Sequence, residues 1–280
     1  MNGSLRQGNT IDAVEVNAAL KHTRLGGHVL HFAEVESTND LALAAAQDGA
    51  RYGVWIADAQ TAGRGRGGNT WHSAPGDGLY VSGLFSPRLP AMALHLSLAA
   101  GLAAWDAIRE VTGLTVDIRW PNDLVTRDPR GSRKLGGVLV ESAVAPLEPD
   151  GLAMLRYAVV GIGINVAHRA LPHGLSTEAT SLYLEGWQLP DRQPLLIALL
   201  DHLDLYIRKL EDSYAGADSG PGILSRLAEA STWVRGKRVR VPEDGGYTGT
   251  TAGLDSSGFL LVEADDGVLR TVRSGGVREL

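Results

Sequence analysis

Gln60-Thr61-Ala62-Gly63-Arg64-Gly65-Arg66-Gly67-Gly68-Asn69-Thr70-Trp71 follows an apolar run, Gly53-Val54-Trp55-Ile56-Ala57, of the kind that forms a buried strand. The loop holds four glycines and two arginines within six residues. Glycine lets backbone take positive φ and approach a ligand, and arginine supplies a planar, permanently charged fork suited to carboxylate or phosphate oxygens. Two arginines so close together repel each other unless an anion lies between them. The stretch therefore predicts an anion site at the end of a buried strand. The spacing from Gly63 to Thr70 is that of a phosphate-binding P-loop, but Asn69 stands where that motif needs lysine, which argues against a Walker-type NTPase.

Upstream of the loop, residues 12–22 predict a short helix with Asp12 as its N-cap, and 28–32 alternate as an exposed strand does. Ser37-Thr38-Asn39-Asp40 opens an alanine-rich helix that stops at Gly49. Ser, Thr and Asn at such a start cap free N–H groups and can also meet the polar head of a ligand. On the other side, 78–85 predict a strand and 92–111 a long apolar helix, with Leu94, Leu98, Leu102, Trp105 and Ile108 on its core stripe. Residues 116–124 read as a strand ended by Pro121, which leaves Asn122 and Asp123 on the following turn. Lys134-Leu135-Gly136-Gly137 puts a lysine at the head of a strand beside two glycines, where it can reach along exposed backbone into a site.

Gly161-Ile162-Gly163-Ile164-Asn165-Val166 begins like a dinucleotide fingerprint, but Val166 takes the place of the third glycine and no helix follows, so a Rossmann unit is rejected. Residues 167–181 are irregular, 194–210 form an amphipathic helix, and 211–221 have the composition of a linker. From about Trp233 short strands at 237–241, 247–254, 259–263 and 269–273 alternate with Gly-containing turns, the pattern of a small antiparallel barrel.

With 280 residues and 44% hydrophobic content the chain can bury a large core. It has no cysteine, a polar start and no apolar run long enough for a membrane span, so a cytoplasmic protein is expected. A net charge of −6 argues against general affinity for nucleic acid, and 36 residues before Ser37 are too few for a helix-turn-helix domain.

In order and spacing, Ser37-Thr38-Asn39, the loop 60–71, Arg119-Trp120-Pro121-Asn122-Asp123-Leu124, Lys134-Leu135-Gly136-Gly137 with Val140-Glu141, and Gly161-Ile162-Gly163-Ile164-Asn165-Val166 resemble the biotin protein ligase family, from about residue 28 to the C-terminus. The resemblance implies an α+β fold: a short N-terminal extension over 1–27, a mixed-sheet catalytic domain over 28–232 related to class II aminoacyl-tRNA synthetases, and an SH3-like β-barrel over 233–280. It implies a monofunctional ligase that uses ATP, Mg2+ and biotin to form biotinyl-5′-AMP and acts on a biotin carboxyl carrier protein. No DNA or membrane partner is implied, and the expected state is a monomer or weak homodimer.

By the same resemblance Ser37, Thr38, Asn39 and Gln60 hold the ring end of biotin, with Gly63, Gly136 and Gly137 offering close backbone and Arg64 and Lys134 facing its carboxyl. Arg66, Trp71, Asn122, Lys134 and Asn165 face ATP. Lys134, Arg64 and Arg66 stabilise charge in the reaction, and Asp123 orients the incoming lysine or accepts its proton. No metal ligand is assigned. Two features depart from the family: its further basic residues late in the loop are replaced here by Gly67, Gly68, Asn69 and Thr70, and 167–181 match no motif. A lipoate or octanoyl ligase of related fold and a non-catalytic biotin or nucleotide binder are the rival readings.

Overall fold

The computed structural model describes residues 10–91, 93–127, 131–146, 151, 153–172, 177–188, 190–217, 222–242, 245–273 and 276–280. The first half runs α1 (Ala13–Ala19), β1 (Val29–Val35), α2 (Thr38–Gln47), β2 (Gly53–Gln60), β3 (Gly78–Phe85) and α3 (Ala93–Thr112). There follow β4 (Val116–Arg119), β5 (Asp123–Thr126), β6 (Lys134–Val144), β7 (Leu155–Asn165), α4 (Arg192–Tyr214) and α5 (Ile223–Ala230). The last part is all strand: β8 (Arg235–Val241), β9 (Tyr247–Leu254), β10 (Leu260–Ala264), β11 (Leu269–Val272) and β12 (Arg278–Glu279).

A seven-stranded sheet has the order β1-β2-β3-β7-β6-β5-β4. Parallel strands need a crossover element between them, and α2 supplies it for β1 and β2; all other neighbours pair antiparallel. The two faces of the sheet are covered differently. On one, α3 packs over β6 and β7 and against α4, and its predicted stripe of Leu98, Leu102, Trp105 and Ile108 is buried. On the other, α2 sets Ala42 and Ala46 against Trp55, Leu84, Tyr157 and Val159 and leaves the rest of that face for the site. Every residue of β3 is buried, because it lies mid-sheet with cover on both faces.

The structure differs from the sequence expectation in several places. The strand expected over 116–124 is two strands, β4 and β5, folded as a hairpin, so Asp123 opens β5 and pairs with Arg119 instead of lying in a turn. Ser37 takes the N-cap position of α2, yet its side chain makes no cap bond, and Thr38 and Asn39 are buried. The stretch with linker composition begins as the last turn of α4, which reaches Tyr214, while 218–221 lie outside the described residues. α5 has no counterpart among the expected elements.

A second sheet, in order β11-β10-β9-β8-β12, is antiparallel throughout. It contains the four predicted strands and a fifth, β12. Its apolar residues Val239, Val241, Leu260 and Val262 belong to the same buried cluster as α3, α4 and the large sheet. Polar bonds reinforce the join: Trp120 Nε1 donates to the Gly258 carbonyl at 3.0 Å, and Ser231 Oγ donates to that of Ile118 at 2.6 Å. Asp117, 1% exposed, accepts from the N–H groups of Ile118 (2.8 Å) and Thr232 (3.0 Å) and from the Thr232 hydroxyl, with Arg127 Nε 3.5 Å away. No helix among the described residues is long and apolar enough to cross a membrane.

Removing the Asp117 carboxylate strands several buried donors at the junction of the sheets. Asp117→Ala is expected to cost about 3 kcal/mol, seen as a lower urea midpoint with an unchanged m-value. One cooperative transition is expected in both proteins, because the core is continuous.

Candidate active site

Side chains two residues apart on a strand share a face, and residues opposite each other across an antiparallel pair do too. Gly161 and Gly163 of β7 therefore lie on the face that α2 covers, with Gly137 of β6 and Tyr80 of β3 opposite Gly163 and Ser82 opposite Gly161. The glycines leave that face low. A Cβ on Gly161 would come 2.2 Å from Asn39 Oδ1, and one on Gly163 2.6 Å from the Trp71 indole. Asn39, from the start of α2, and Trp71, from the end of the glycine loop, rest on bare backbone.

Between α2, the loop and this face lies a pocket with about 490 Å³ of empty space. Thr38, Asn39 and Gln60 line it together with Arg64, Lys134 and Gly137. Its polar groups form a connected set. The Thr38 N–H and hydroxyl reach Gln60 Oε1 at 2.9 and 3.1 Å, and Gln60 Nε2 donates to Ser73 Oγ at 3.0 Å. Ser82 Oγ lies 2.8 Å from Thr38 Oγ1 and 2.5 Å from Asn39 Oδ1, and Asn39 Nδ2 donates to Glu141 Oε2 at 2.8 Å.

A second, wider cleft with about 1700 Å³ of empty space adjoins the first. Arg66, Trp71, Asn122 and Lys134 line both and form the wall between them. Asp123, Asn165, His72 and Arg278 belong to the second alone. One of its sides is built by residues 177–180: Lys134 N–H donates to the Glu178 carbonyl at 2.7 Å, Thr180 N–H to that of Lys134 at 2.9 Å, and Asn165 Nδ2 to that of Thr180 at 2.9 Å.

The two loop arginines differ in electrostatic setting. Arg64 makes a bidentate pair with Glu141 (2.9 and 2.8 Å) and meets Asp40 at 2.5 Å, and the Glu141 bonds raise its pKa further above the ordinary arginine value. The anion beside Arg64 is thus the protein's own. Arg66 donates to the neutral Asn122 Oδ1 at 2.9 Å and has no carboxylate within ion-pair distance among the described residues. Lys134 Nζ is 2.6 Å from Asp123 Oδ1 and 5.4 Å from the centre of the Trp71 ring. Arg119 Nη2 takes the other oxygen of Asp123 at 2.7 Å. Burial alone would raise the Asp123 carboxyl, but Lys134 and Arg119 outweigh it and hold it below the usual carboxylate range. Lys134 and Arg119 thus share one carboxylate while Arg66 beside them pairs with a neutral amide, an excess of positive charge that suits a polyanion.

Of the sequence-predicted residues, Ser37, Thr38, Asn39, Gln60, Arg64 and Gly137 line the narrow pocket, Asp123 and Asn165 the wide one, and Arg66, Trp71, Asn122 and Lys134 both. Gly63 and Gly136 line neither. A Cβ on Gly63 would meet the Trp71 carbonyl at 2.7 Å, and one on Gly136 that of Gly163 at 2.7 Å, so both serve packing. Ser82, Tyr80, Gly161 and Gly163 are absent from the sequence-predicted set, although glycines two apart in a strand are a readable sign of close approach. Glu141 stands in a family motif to which the sequence attaches no role. Arg278 carries no local signal, because the second sheet delivers it.

Because the Asp123 carboxyl is depressed, its pairing stabilises the fold above the ordinary carboxylate range and is lost only as pH falls through the lower folded value. Carbon-13 NMR of aspartate carboxyls is expected to show one buried carboxyl titrating below that range, and Lys134→Ala is expected to move it upward.

Residues 32–165 match the Biotin/lipoate A/B protein ligase family and residues 235–277 the Biotin protein ligase C terminal domain. The Bacillus subtilis bifunctional ligase/repressor BirA is 31% identical over 259 residues, 91% of this chain and 75% of its own length. The biotin--[acetyl-CoA-carboxylase] ligase of Mycobacterium tuberculosis is 32% identical over 240 residues, 82% and 81% of the two chains. A biotin protein ligase from Aquifex aeolicus, solved in complex with biotin and ATP, shares 28% identity with a TM-score of 0.71 over 90% of this chain and 98% of that one. With the motifs in order on one sheet face and relatives similar across both sheets, the chain belongs to the biotin protein ligase family.

Proposed function

We propose that the protein activates biotin with ATP in the paired pockets and transfers it to a lysine of a biotin carboxyl carrier protein. The observation that carries this is the shared wall of Arg66, Trp71, Asn122 and Lys134 between a narrow polar pocket and a wide cationic one. Two anions must meet for a carboxylate to attack the α-phosphorus of ATP, and fixed cations at the meeting point lower that barrier. Biotin takes the narrow pocket, its ureido ring among Thr38, Asn39 and Gln60 and its carboxylate at Lys134. ATP takes the wide one, its phosphates toward Arg66 and Lys134. A carboxylate oxygen bonds to the α-phosphorus, the bond to the β-phosphate oxygen breaks, and pyrophosphate leaves. The carrier amine then attacks the acyl carbon, the C–N bond forms, the C–O bond to AMP breaks, AMP leaves with that oxygen, and the amine's proton passes to solvent water.

The Lys134 and Arg119 pairings give Asp123 a positioning role: it aims Lys134, and its depressed pKa makes it a weak base. Mg2+ suits this site as a cation carried on the nucleotide, where it would offset phosphate charge. Among the described residues no cluster of three metal-ligating acids or histidines exists, and neutral side-chain oxygens of the wide cleft such as Asn122 Oδ1, which accepts from Arg66, would meet such an ion through its water shell. A lipoate ligase is the second reading. The narrow pocket favours a cyclic urea over a dithiolane, which would leave unmet the donor and acceptor positions that Thr38, Asn39 and Gln60 do not spend on one another.

Incubation with ATP, Mg2+, biotin and an acceptor carrier domain is expected to add the mass of one biotin to the carrier, while lipoate in a parallel tube adds nothing. No gain with biotin, or gain with lipoate alone, would overturn the assignment. Lys134→Ala is expected to lower biotin-dependent pyrophosphate exchange by about a hundredfold or more.

A further inference from the structure

We propose that Glu141, which lines neither pocket, is a positioning residue that sets the hydrogen-bond polarity of the narrow pocket and so its preference for a urea oxygen; this rests on the reading of that pocket as the biotin site. A carboxylate only accepts hydrogen bonds, and Glu141 takes three: two from Arg64 and one from Asn39 Nδ2. The Asn39 amide is therefore fixed, with its nitrogen toward Glu141 and its oxygen toward Ser82. Ser82 has one hydroxyl proton and two acceptors within reach, Asn39 Oδ1 at 2.5 Å and Thr38 Oγ1 at 2.8 Å. An amide oxygen facing it draws that proton to Asn39.

Thr38 Oγ1 then keeps its lone pairs while its own proton goes to Gln60 Oε1 or Ser82. The pocket consequently presents a spare N–H at Asn39 and an acceptor at Thr38. A cyclic urea is the complement: its oxygen accepts and its N–H groups donate.

Changing Glu141 to glutamine inverts the chain without removing it. Arg64 is a donor only, so it takes the single amide oxygen of the introduced glutamine and leaves the NH2 group toward Asn39. Asn39 must then turn its oxygen to that NH2 group and its nitrogen to Ser82, which passes the Ser82 proton to Thr38. The spare Asn39 N–H is thereby turned from the Glu141 side to the Ser82 side, and Thr38 Oγ1 gives one lone pair to Ser82, so donor and acceptor no longer stand where the urea meets them. Arg64 retains Asp40 as a partner, so the loop stays anchored.

The test compares kcat/KM in pyrophosphate exchange for biotin and for its thiourea analogue, in which sulfur replaces the ureido oxygen and accepts hydrogen bonds weakly. The wild type is expected to prefer biotin by about tenfold or more, and Glu141→Gln to bring the ratio near one, chiefly through a higher KM for biotin with the KM for ATP little changed. In the double variant Asn39→Asp/Glu141→Gln the new carboxylate accepts from both the glutamine NH2 group and Ser82, so thermal stability recovers. That carboxylate still cannot donate to the urea oxygen, and the ratio stays near one. A merely structural Glu141 would instead lower exchange with biotin and with the thiourea analogue alike in Glu141→Gln and leave their ratio at the wild-type value. A wild-type ratio near one, an unchanged ratio in Glu141→Gln, or recovered preference in the double variant would each overturn the proposal. Absence of exchange with biotin in the wild type would overturn the underlying assignment instead.

Discussion

The site depends on bare backbone in the middle of a sheet. Gly161 and Gly163 on β7, with Gly137 opposite Gly163 on β6, remove the side chains that would otherwise stand up from the face under α2 and the glycine loop. Asn39 and Trp71 lie where those side chains would be. Any larger residue at 161 or 163 lifts one of them and closes the narrow pocket from below. A strand usually loses stability by carrying glycine, so their presence mid-sheet marks a surface kept clear for something else.

On that surface the charges are sorted. Glu141 and Asp40 satisfy Arg64, so the loop's first arginine serves as an anchor. Arg66 faces a neutral amide and Lys134 shares one carboxylate with Arg119, which leaves positive charge where the two pockets meet. The arrangement keeps cations fixed before substrate arrives, and preorganised charge costs no reorganisation during the reaction. The hairpin of β4 and β5 is what makes it possible. It sets Arg119 opposite Asp123, and the β5–β6 pairing then brings Asp123 beside the strand that Lys134 opens.

Much of this is legible in the chain. The helices with clear caps or stripes, Asp12 before α1 and the leucines of α3 and α4, fall close to where they are expected, as do four strands of the second sheet. Local signals fail where tertiary contact decides. Ser37, Thr38 and Asn39 have capping chemistry, but partners from β2, β3 and β6 draw Thr38 and Asn39 into the pocket. The loop's arginine pair suggests a single anion between two equal cations. Glu141, 77 residues away, breaks that symmetry, and nothing local announces it. Arg278 reaches the wide pocket only because the second sheet shares a core with the first.

In the proposed reaction the carboxylate of biotin attacks the α-phosphorus of ATP across the wall of Arg66 and Lys134. Biotin carrying 18O in both carboxylate oxygens, turned over once with ATP and a carrier domain, tests it directly. One label is expected in the phosphate of AMP and the other in the new amide carbonyl. Unlabelled AMP, or label appearing in orthophosphate, would contradict attack at the α-phosphorus and with it the pairing of the two pockets.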